Sequence, residues 1–542
     1  MGAPLLTIMS VVRRRPLMLI TAVVLAIGLT GWAVLRPGAD DVKAPSLATS
    51  ARSGTTPDQR MAEATGAGWV KRENAKPGST AWTIGAHELA DDTQLAGYAD
   101  HVSVLAGEPL RLFVTTTARS FTVKAFRLGW YGGDKARLVW TSPPVPGRRQ
   151  GAAVIGTDRT VTTHWAPSAR VVTNDWPDGT YLLLLTDNRG LKKYVPVTVR
   201  SKSVSGRLVL LNAVTTYQAY NAWGGHSLYG GPGNDFGTRS SKVSFDRPYD
   251  RNGARIPTQY EQPIIAEAER EDLPLAYLTS VELDADPHAL DGALGLVSMG
   301  HDEYWSVGMR RTVTRARDAG TNLAFLGANS VYWRVRFEPS VLGADRVVVG
   351  YKSAALDPVK GDASTTVMWR SDPKPFAENN LTGMLYECFP AQGALVVNDP
   401  GFFLLRGTGA TKGARYAGLV GTEIDRAYPI PGTPDNLQVV AHSPVVCGRN
   451  KQTYSDVTYY STRSGAGVFA VGSMLWSYGV RGPIGRYGID TRSVSFVRRV
   501  TANLFAAMAA GPMGKAHPAK GNLASLDAPA STATGTGGSL AR

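Results

Sequence analysis

The sequence predicts an α/β plus all-β protein in which a membrane anchor precedes a β-sandwich and an open, mostly parallel α/β sheet with β-rich insertions. Three observations support this prediction. Residues 17–35 are apolar and uncharged, close to the roughly 20 residues that span a bilayer. Short alternating segments separated by turns fill residues 79–205, with almost no helical periodicity. Strand-length and helix-length patterns alternate over residues 206–510.

Composition and charge are ordinary for a folded protein. The 542 residues allow two or three domains, with 43% hydrophobic and 19% charged residues. The net charge of +14 is spread along the chain, and no basic run is interleaved with aromatic residues. We therefore predict no nucleic-acid partner. A basic, soluble surface outside the cell explains the charge, and an anionic partner is the alternative.

The amino-terminal segment, residues 1–36, is predicted to be a cytoplasmic stub and a single transmembrane helix. The run Arg13–Arg15 precedes the apolar stretch, so the amino end is expected in the cytoplasm. No convincing Ala-x-Ala cleavage site follows the apolar run, which favours an uncleaved anchor over a cleaved signal peptide. In both cases the bulk of the chain is expected to be extracytoplasmic, at the cell membrane. Residues 37–78 are rich in Ala, Ser, Thr, Gly and Asp and are predicted to be a flexible linker.

The two cysteines, Cys388 and Cys447, are too few for a disulfide framework or a structural zinc site. They are expected to pair if the protein is exported, because disulfides persist in oxidising compartments. The loop between them spans 447 − 388 = 59 residues. Closing such a loop stabilises a fold by roughly 4 kcal/mol in the chain-entropy model. Two buried free thiols are the alternative.

The β-sandwich is predicted from short strands at regular spacing. The strongest candidates are Leu110–Thr115, Phe121–Leu128, Thr180–Leu185 and Lys193–Val199. Asp187–Gly190 is the expected hairpin turn between the last two strands. Gly129–Gly133 is an aromatic and glycine-rich turn. We expect it to be structural packing, and a sugar site is the alternative.

The α/β sheet is predicted to be organised around one strand–helix–strand unit. Leu294–Met299 and Asn322–Leu326 are the strands, and helical periodicity recurs between them. Ser306 is the expected N-cap of the helix, and Gly320 the residue that ends it. The two strands are expected to be parallel, since a right-handed crossover joins them.

Polar and aromatic residues follow the strands of this sheet, where ligands of open α/β proteins bind. One cluster follows each strand of the unit, and a third follows Arg207–Asn212, the predicted first strand of the domain. The predicted pocket comprises His301, Asp302, Glu303, Tyr304 and Trp305, then Asn329, Tyr332 and Trp333, and then Tyr217, Tyr220, Asn221 and Trp223.

Each of these residues also has a structural explanation. The aromatic side chains of the first cluster would pack beneath the sheet edge, and its histidine would satisfy hydrogen bonds there. Its carboxylates would favour the start of the next helix through the helix dipole. Glu423 and Asp425 are expected to face the same cleft, on polarity alone.

The rest of the chain returns to strands and turns after Arg336 and ends in a helix, Ser493–Ala509. Residues 511–542 are low-complexity Ala, Gly, Ser, Thr and Pro, and we predict a disordered tail. The Gly-rich loop His226–Gly237 lacks the Gly-Lys-Ser/Thr of a P-loop, so phosphate binding is not predicted there.

Four segments of the α/β domain carry distinctive motifs: TTYQAYNAWGG (215–225), YLTSVELDADP (277–287), GHDEYWS (300–306) and AGTNLAFLGANSVYWRVRF (319–337). They resemble the large-subunit family of N,N-dimethylformamidase, in its C-terminal domain. The resemblance covers about residues 206–510 and implies a sheet similar to the class I glutamine amidotransferase fold. It implies no glutaminase nucleophile, because Asn329 and no cysteine stands in the turn after the second strand.

The family's founding enzyme hydrolyses a formamide with one iron held by two tyrosinates and one glutamate. By this resemblance, Tyr304 matches one tyrosine through its His-x-Glu-Tyr motif, and Glu387 matches the glutamate. Tyr260 is nearest to the second tyrosine, although the alignment also permits Gln262. Leu385 stands where a histidine is expected. The resemblance therefore implies Fe(III) at Tyr304, Glu387 and Tyr260, with a purely structural Glu387 as the alternative.

The chemistry of such a site depends on the metal. Ferric ion prefers oxygen donors, polarises an amide carbonyl and lowers the pKa of bound water. His301, Asp302 or Glu303 would then serve as the general base. The cluster holds no Ser or Cys nucleophile with an evident base.

These observations, together with the resemblance, favour a membrane-anchored extracytoplasmic hydrolase that cleaves the C–N bond of a small amide. The alternative is a non-catalytic protein of the cell envelope, whose aromatic cleft binds a glycan or a peptide.

Overall fold

Two face-to-face sheets form the first domain, as the sequence predicts. In this computed structural model, which describes residues 46–47 and 68–526, the strands run in chain order as follows: β1 Ser46–Leu47, β2 Leu95–Ala99, β3 Ser103–Val104, β4 Pro109–Thr116, β5 Ser120–Leu128, β6 Ala136–Thr141, β7 Val145–Pro146, β8 Val154–Ile155, β9 Val161–Thr162, β10 Ala169–Val172, β11 Gly179–Asp187 and β12 Lys192–Val199. One sheet has the order β1-β10-β4-β2, and the other has the order β3-β12-β11-β5-β6 with β7 beside β5. Their facing residues form one apolar core.

The predicted linker, residues 37–78, ends earlier than expected. A helix, α1 (Trp69–Asn74), lies within that range, and its Trp69 and Val70 are buried in the core. Asn74 accepts backbone hydrogen bonds from Trp130 and Tyr131. Trp69 and Val70 thus attach the end of this mostly polar segment to the folded core. The rest of the range, apart from 46–47, lies outside the described residues, as does the predicted anchor at 1–36. Within the described part of the chain, no helix has the length and apolarity to cross a membrane.

The second domain alternates helices and strands before it becomes purely β. Its elements are β13 Leu208–Asn212, α2 Val214–Tyr220, β14 Lys242–Ser244, α3 Gln262–Arg270, β15 Leu275–Thr279, α4 Ser280–Ala285, β16 Gly295–Ser298, β17 Tyr304–Ser306, α5 Val307–Asp318, β18 Asn322–Phe325, β19 Trp333–Ser340, β20 Gly343–Val349, α6 Asn379–Thr382, β21 Leu385–Val396, β22 Arg415–Arg426, β23 Gln438–Cys447, β24 Lys451–Ser461, β25 Gly467–Ala470, α7 Leu475–Arg481, α8 Thr491–Ala509 and α9 Met513–Ala516.

The main sheet is mixed, which corrects the prediction of a mostly parallel sheet. Its order is β15-β13-β16-β18-β25-β24-β23-β21-β22. The first five strands are parallel, and every later pairing is antiparallel. The long strands β23 and β24 are joined by a tight turn, and such a short connection permits only antiparallel pairing. A smaller sheet, β14-β20-β19-β17, lies at the site described below.

The predicted strand–helix–strand unit is confirmed as β16-α5-β18. The two strands are parallel, with Leu296 opposite Leu323. Ser306 is the N-cap: its hydroxyl oxygen accepts a hydrogen bond from the backbone N–H of Met309 at 3.0 Å. Gly320 follows the helix with a φ of 108°, the conformation that glycine adopts at low cost.

The two domains share one core and a buried ion pair. Phe126, Leu182 and Leu184 of the sandwich belong to the same apolar cluster as residues of the α/β domain. Arg127 of β5 pairs with Glu269 of α3, and both side chains are fully buried. The Gly129–Gly133 turn serves this contact, as expected for structural packing, because the Tyr131 hydroxyl accepts from Arg127 and donates to Glu73.

Two further predictions meet the structure in the final third of the chain. Cys388 of β21 and Cys447 of β23 form a disulfide, as expected. The predicted tail, residues 511–542, begins too early, because Met513 is buried and Asn322 accepts from its backbone N–H. Residues 527–542 lie outside the described residues.

Candidate functional site

Two glycines bring the ends of β16 and β18 into contact. Gly300 follows β16 with a φ of 85°, and Gly327 follows β18. A Cβ atom at Gly327 would lie 1.4 Å from the Gly300 carbonyl oxygen, so no larger residue fits there. The polar segments that follow the two strands therefore meet, as the strand-end rule predicts.

The backbone beyond β18 is strained. Asn329 and Val331 both have a φ of 57°, a region that is unfavourable for a β-branched residue and costs of order 1–3 kcal/mol. Two hydrogen bonds hold this conformation. Asn329 N–H donates to Asp425 Oδ1 at 2.7 Å, and Val331 N–H donates to the Asp302 carbonyl at 3.0 Å. The strained segment presents the Asn329 side chain to the cleft.

Glu303 is the centre of the cleft. Its buried carboxylate accepts hydrogen bonds from Tyr220 at 2.7 Å and from Tyr229 at 2.5 Å. These two rings stack, with centroids 4.5 Å apart. His301 Nε2 lies 2.9 Å from the Tyr220 hydroxyl and 3.5 Å from Glu303. Thr216 fixes the Glu303 backbone by accepting from its N–H at 3.1 Å.

Glu423 is a second carboxylate in the same cleft. Asn329 Nδ2 donates to it at 2.8 Å. Burial, followed by the charge of Glu303, raises the pKa of Glu423 to about 8. Burial also raises the pKa of Glu303, although the Lys352 cation and the tyrosine hydroxyls oppose that rise. Two nearby carboxylates disfavour joint ionisation, which is why the charge of Glu303 raises the pKa of Glu423.

Lys352 supplies a buried cation beside Glu303. Its Nζ lies 3.5 Å from the centroid of the Tyr229 ring and 4.8 Å from that of Trp333. Within the described part of the chain, this Nζ has no hydrogen-bond partner. Burial lowers the pKa of Lys352 to about 7, with Glu303 opposing the change.

Tyr304 has a buried hydroxyl that is also without a hydrogen-bond partner among the described residues. Its ring is fully buried and stands edge-on to those of Tyr220 and Tyr229, at 6.3 Å from each. Burial raises its pKa well above the usual value. An unsatisfied buried polar atom costs about 1–3 kcal/mol, so this hydroxyl is a candidate ligand atom.

Comparison with known families identifies the family of this chain. The family model for the N,N-dimethylformamidase beta subunit-like C-terminal region matches residues 122–489. The chain belongs to this family. The match begins in β5, and therefore includes much of the sandwich, where the resemblance in sequence had suggested a start near residue 206.

The two other comparisons, with curated proteins and with solved structures, do not indicate a fold or a function for this chain. No curated protein matches it. One solved structure is a cycloisomaltooligosaccharide glucanotransferase from Paenibacillus sp., complexed with cycloisomaltoheptaose. It is 9% identical, covers 67% of this chain and 68% of its own, and has a TM-score of 0.16, which is too low to indicate a common fold.

Most predicted pocket residues at the strand ends of the dimethylformamidase-like domain do meet. The structure gathers His301, Glu303, Tyr304, Tyr220 and Asn329 around one cleft, and the half-exposed Tyr332 and Trp333 lie at its edge.

Two residues of the central motif point elsewhere. Asp302 is fully buried, and its carboxylate accepts from Ser298 at 3.0 Å. Trp305 is fully buried in the second core and donates to the Asp302 carbonyl at 3.1 Å. Glu303 and Tyr304 thus contact the cleft, while Asp302 and Trp305 are buried away from it, so this segment does not follow strict strand alternation.

The segment after β13 contributes less than expected. Trp223 packs edge-on against Trp165 of the sandwich, 5.8 Å away, so it does not belong to the cleft. Asn221 donates to Gln218 and to the Pro248 carbonyl. Tyr217 donates to Glu261, a separate buried carboxylate. The sandwich covers this segment, and a sequence pattern does not reveal which aromatic residues an adjoining domain buries.

The predicted metal ligands are only partly together. Tyr260 packs near His301, with ring centroids 6.1 Å apart. The Glu387 carboxylate is instead occupied by Tyr428 at 2.5 Å, Thr453 at 2.6 Å and Lys451 at 2.5 Å. This corrects the placement of Glu387 with Tyr304. Burial is the largest cause of the raised pKa of both Tyr260 and Tyr304, and the charge of Glu423 is a smaller cause that the two share.

The donor chemistry at the cleft fits a ferric ion. Ferric ion prefers hard oxygen ligands, and Tyr304, Tyr260 and Glu423 offer two phenols and one carboxylate. The unpartnered Tyr304 hydroxyl is the observation that favours such a ligand. No group of three or more His, Cys, Asp or Glu side chains arranged for a metal occurs between residues 68 and 526.

Sequence reasoning missed Tyr229 and Lys352. Tyr229 comes from the Gly-rich loop, where only its aromatic character in a polar loop was a signal. Lys352 follows β20 and is isolated in sequence from every other site residue. Their positions depend on the smaller sheet, which no periodicity predicted.

Proposed function

We propose that this protein is an extracytoplasmic, membrane-anchored amide hydrolase of the dimethylformamidase type. It would cleave the C–N bond of a small amide. The observation that carries the proposal is the buried Glu303 carboxylate, held by two tyrosine hydroxyls beside the unpartnered hydroxyl of Tyr304. The Cys388–Cys447 disulfide supports an oxidising compartment.

Glu303 is the proposed general base. Burial raises its pKa, which brings a carboxylate closer to the pKa that is best for proton transfer near neutral pH. It would accept a proton from the attacking water as the water oxygen bonds to the amide carbon. The same proton would pass to the amine nitrogen as the C–N bond breaks, which leaves a carboxylic acid and an amine.

The neighbouring side chains would hold Glu303 in position for both transfers. Tyr220 and Tyr229 each occupy one of its oxygens, and both bonds favour the ionised form. Lys352 also favours that form by its charge. His301 would act as a positioning residue: burial lowers its pKa to about 3, so it stays neutral next to the Tyr220 hydroxyl.

Fe(III) is the proposed cofactor, with Tyr304, Tyr260 and Glu423 as its ligands in place of the set that included Glu387. When bound, it would supply Lewis-acid polarisation of the amide carbonyl. Asn329 would orient the Glu423 carboxylate through its 2.8 Å hydrogen bond. Such a supporting bond typically tunes a ligand's orientation.

The test uses the full-length protein, loaded with Fe(III), and N,N-dimethylformamide as the substrate probe. We expect bound iron by elemental analysis, a visible tyrosinate–iron absorption band, and release of dimethylamine. Tyr304→Phe should lose the iron and the band. Tyr459→Phe, which removes a buried hydroxyl that bonds to the His517 carbonyl, is the matched control and should keep both.

Glu303→Gln separates chemistry from metal binding. It should retain iron and the absorption band but lose amine release, because an amide is a poor base. A wild-type protein that binds no iron and releases no amine contradicts the proposal. If such a protein still bound a cell-envelope glycan or peptide, the half-exposed Tyr332, Trp333 and Tyr386 would favour the alternative of a binding protein.

A further inference from the structure

A cavity of about 950 Å³ lies on the outer face of α5, apart from the Glu303 cleft. Its wall includes four cationic side chains that have no carboxylate within ion-pair distance among the described residues, namely Arg310, Arg311, Arg334 and Lys374. The two other charged groups of the wall are neutralised elsewhere. Arg315 pairs with Asp291 at 2.5 Å, and Asp318 pairs with Arg317 at 2.8 Å. The side chains of the wall therefore carry a net positive charge.

Arg310 is the most informative of these cations. It is only 2% exposed, and its Nη2 donates to the Ala377 carbonyl at 3.0 Å. Its Nε and Nη1 have no hydrogen-bond partner in the described chain. Buried charges are normally paired or fully hydrogen-bonded, so this buried guanidinium with two unpartnered nitrogens favours an anion at the wall of the cavity.

Two aromatic rings give the cavity an apolar wall beside these charges. Trp369 lies between two guanidinium groups, with its ring centroid 5.2 Å from Arg310 and 4.6 Å from Arg334. Phe376 lies 4.5 Å from Arg310 and is 41% exposed. A half-exposed ring beside a cation is suited to stack on a planar group.

We propose that this cavity binds a small anion with a planar apolar body, either a carboxylate or a phosphate ester. The apolar body would pack against Trp369 and Phe376. The anionic group would lie near Arg311 and Lys374, which are exposed, and above the charge of Arg310. The cavity volume suits a small molecule, since ligand pockets span about 300–1,000 Å³.

Binding of three isosteric probes to the full-length protein tests this proposal by calorimetry. The probes are 2-naphthoate, 2-naphthyl phosphate and the neutral 2-naphthamide. We expect at least one anion to bind one site per chain, with an affinity at least about tenfold above that of the amide. The tighter anion identifies the class of ligand. Added salt should weaken anion binding, because exposed charges are screened.

Charge-matched double variants locate the site. Arg311→Gln with Lys374→Gln should lose the preference for an anion, while Lys202→Gln with Arg463→Gln, two exposed cations outside the cavity, should retain it. Equal binding of the amide and both anions, no binding of any anion, or equal loss in both double variants would each overturn the proposal. None of these results depends on amide hydrolysis.

Discussion

Asp302 is an ionisable side chain whose environment disfavours its charge. It is fully buried, Ser298 donates to one oxygen, and the other oxygen has no partner among the described residues. Burial raises its pKa to about 7. In the unfolded chain the same carboxyl ionises near pH 4. The folded state therefore binds more protons than the unfolded state between these two pH values.

That difference gives a stability prediction with a definite sign. Stability contributed by protonated Asp302 should be complete below about pH 4 and should fall as the pH rises towards 7. Asp302→Asn carries no charge at any of these values. We expect its melting temperature to exceed that of the wild type by a margin that widens from pH 4 to pH 7 and then stays constant.

Thermal unfolding of both proteins from pH 4 to pH 8 measures that margin. Asp435→Asn, at an exposed carboxylate, is the control and should show a margin that does not depend on pH. A margin for Asp302→Asn that is equally flat would mean that residue 302 is ionised in the folded protein throughout.

At the scale of single residues, the strand-end rule located only part of the site. It placed Glu303, His301 and Asn329 correctly, because polar residues directly after parallel strands share one sheet edge. It does not reach Tyr229 or Lys352, whose positions depend on loops and on a second sheet. The donor atoms of the cleft therefore come from more segments than periodicity can identify.

Among the elements, α5 begins at a side-chain cap that can be tested directly. Ser306 accepts from Met309 N–H at 3.0 Å and also donates to Asp284. Ser306→Ala should lower the free energy of unfolding by about 1 kcal/mol, since it removes the cap. Denaturant titration measures this loss. Ser495→Ala, at an exposed position inside α8, is the control and should not destabilise the protein.

The close contact between the residues that follow β16 and those that follow β18 requires a glycine at position 327. Gly327→Ala would place a Cβ atom against the Gly300 carbonyl. We expect a loss of about 3 kcal/mol or more, as in severe overpacking of a core. Gly485→Ala, which meets no atom within 4 Å, is the matched control for a glycine substitution. Equal stability of the two variants in denaturant titration would show that the strand ends can separate.

The parallel half of the sheet was predictable, and the antiparallel half was less so. Apolar runs at β16 and β18, with a capped helix between them, predict two parallel strands joined by a right-handed crossover, and few other arrangements fit this pattern. Strands β21–β24 are long and partly exposed, and their residues alternate in burial only locally. Their pairing is set by turns and by the Cys388–Cys447 contact, which sequence periodicity does not encode.

For the molecule as a whole, the buried pair of Arg127 and Glu269 joins the two domains. Glu269 also accepts from Tyr277 at 2.7 Å and from Asn74 at 3.0 Å. Glu269→Gln should destabilise the protein by about 3–5 kcal/mol, because it leaves a buried guanidinium without its counterion. Chemical denaturation of the full-length protein measures this change.

A double variant separates the ion pair from the packing. Arg127→Met with Glu269→Leu should recover part of the lost stability, since two apolar side chains need no counterion. A double variant less stable than Glu269→Gln would show that the hydrogen bonds around Tyr131 contribute more to stability than the charge balance of the ion pair.

The sheet that contains β5 and β11 is covered on both faces. Val123, Ala125 and Leu183 face the sandwich core, whereas Phe126, Leu182 and Leu184 face the α/β domain. A fragment cut at residue 205 would expose one of these faces to water and invite aggregation. Anyone transplanting the α/β domain into another scaffold must therefore carry this layer with it, or redesign its outer surface.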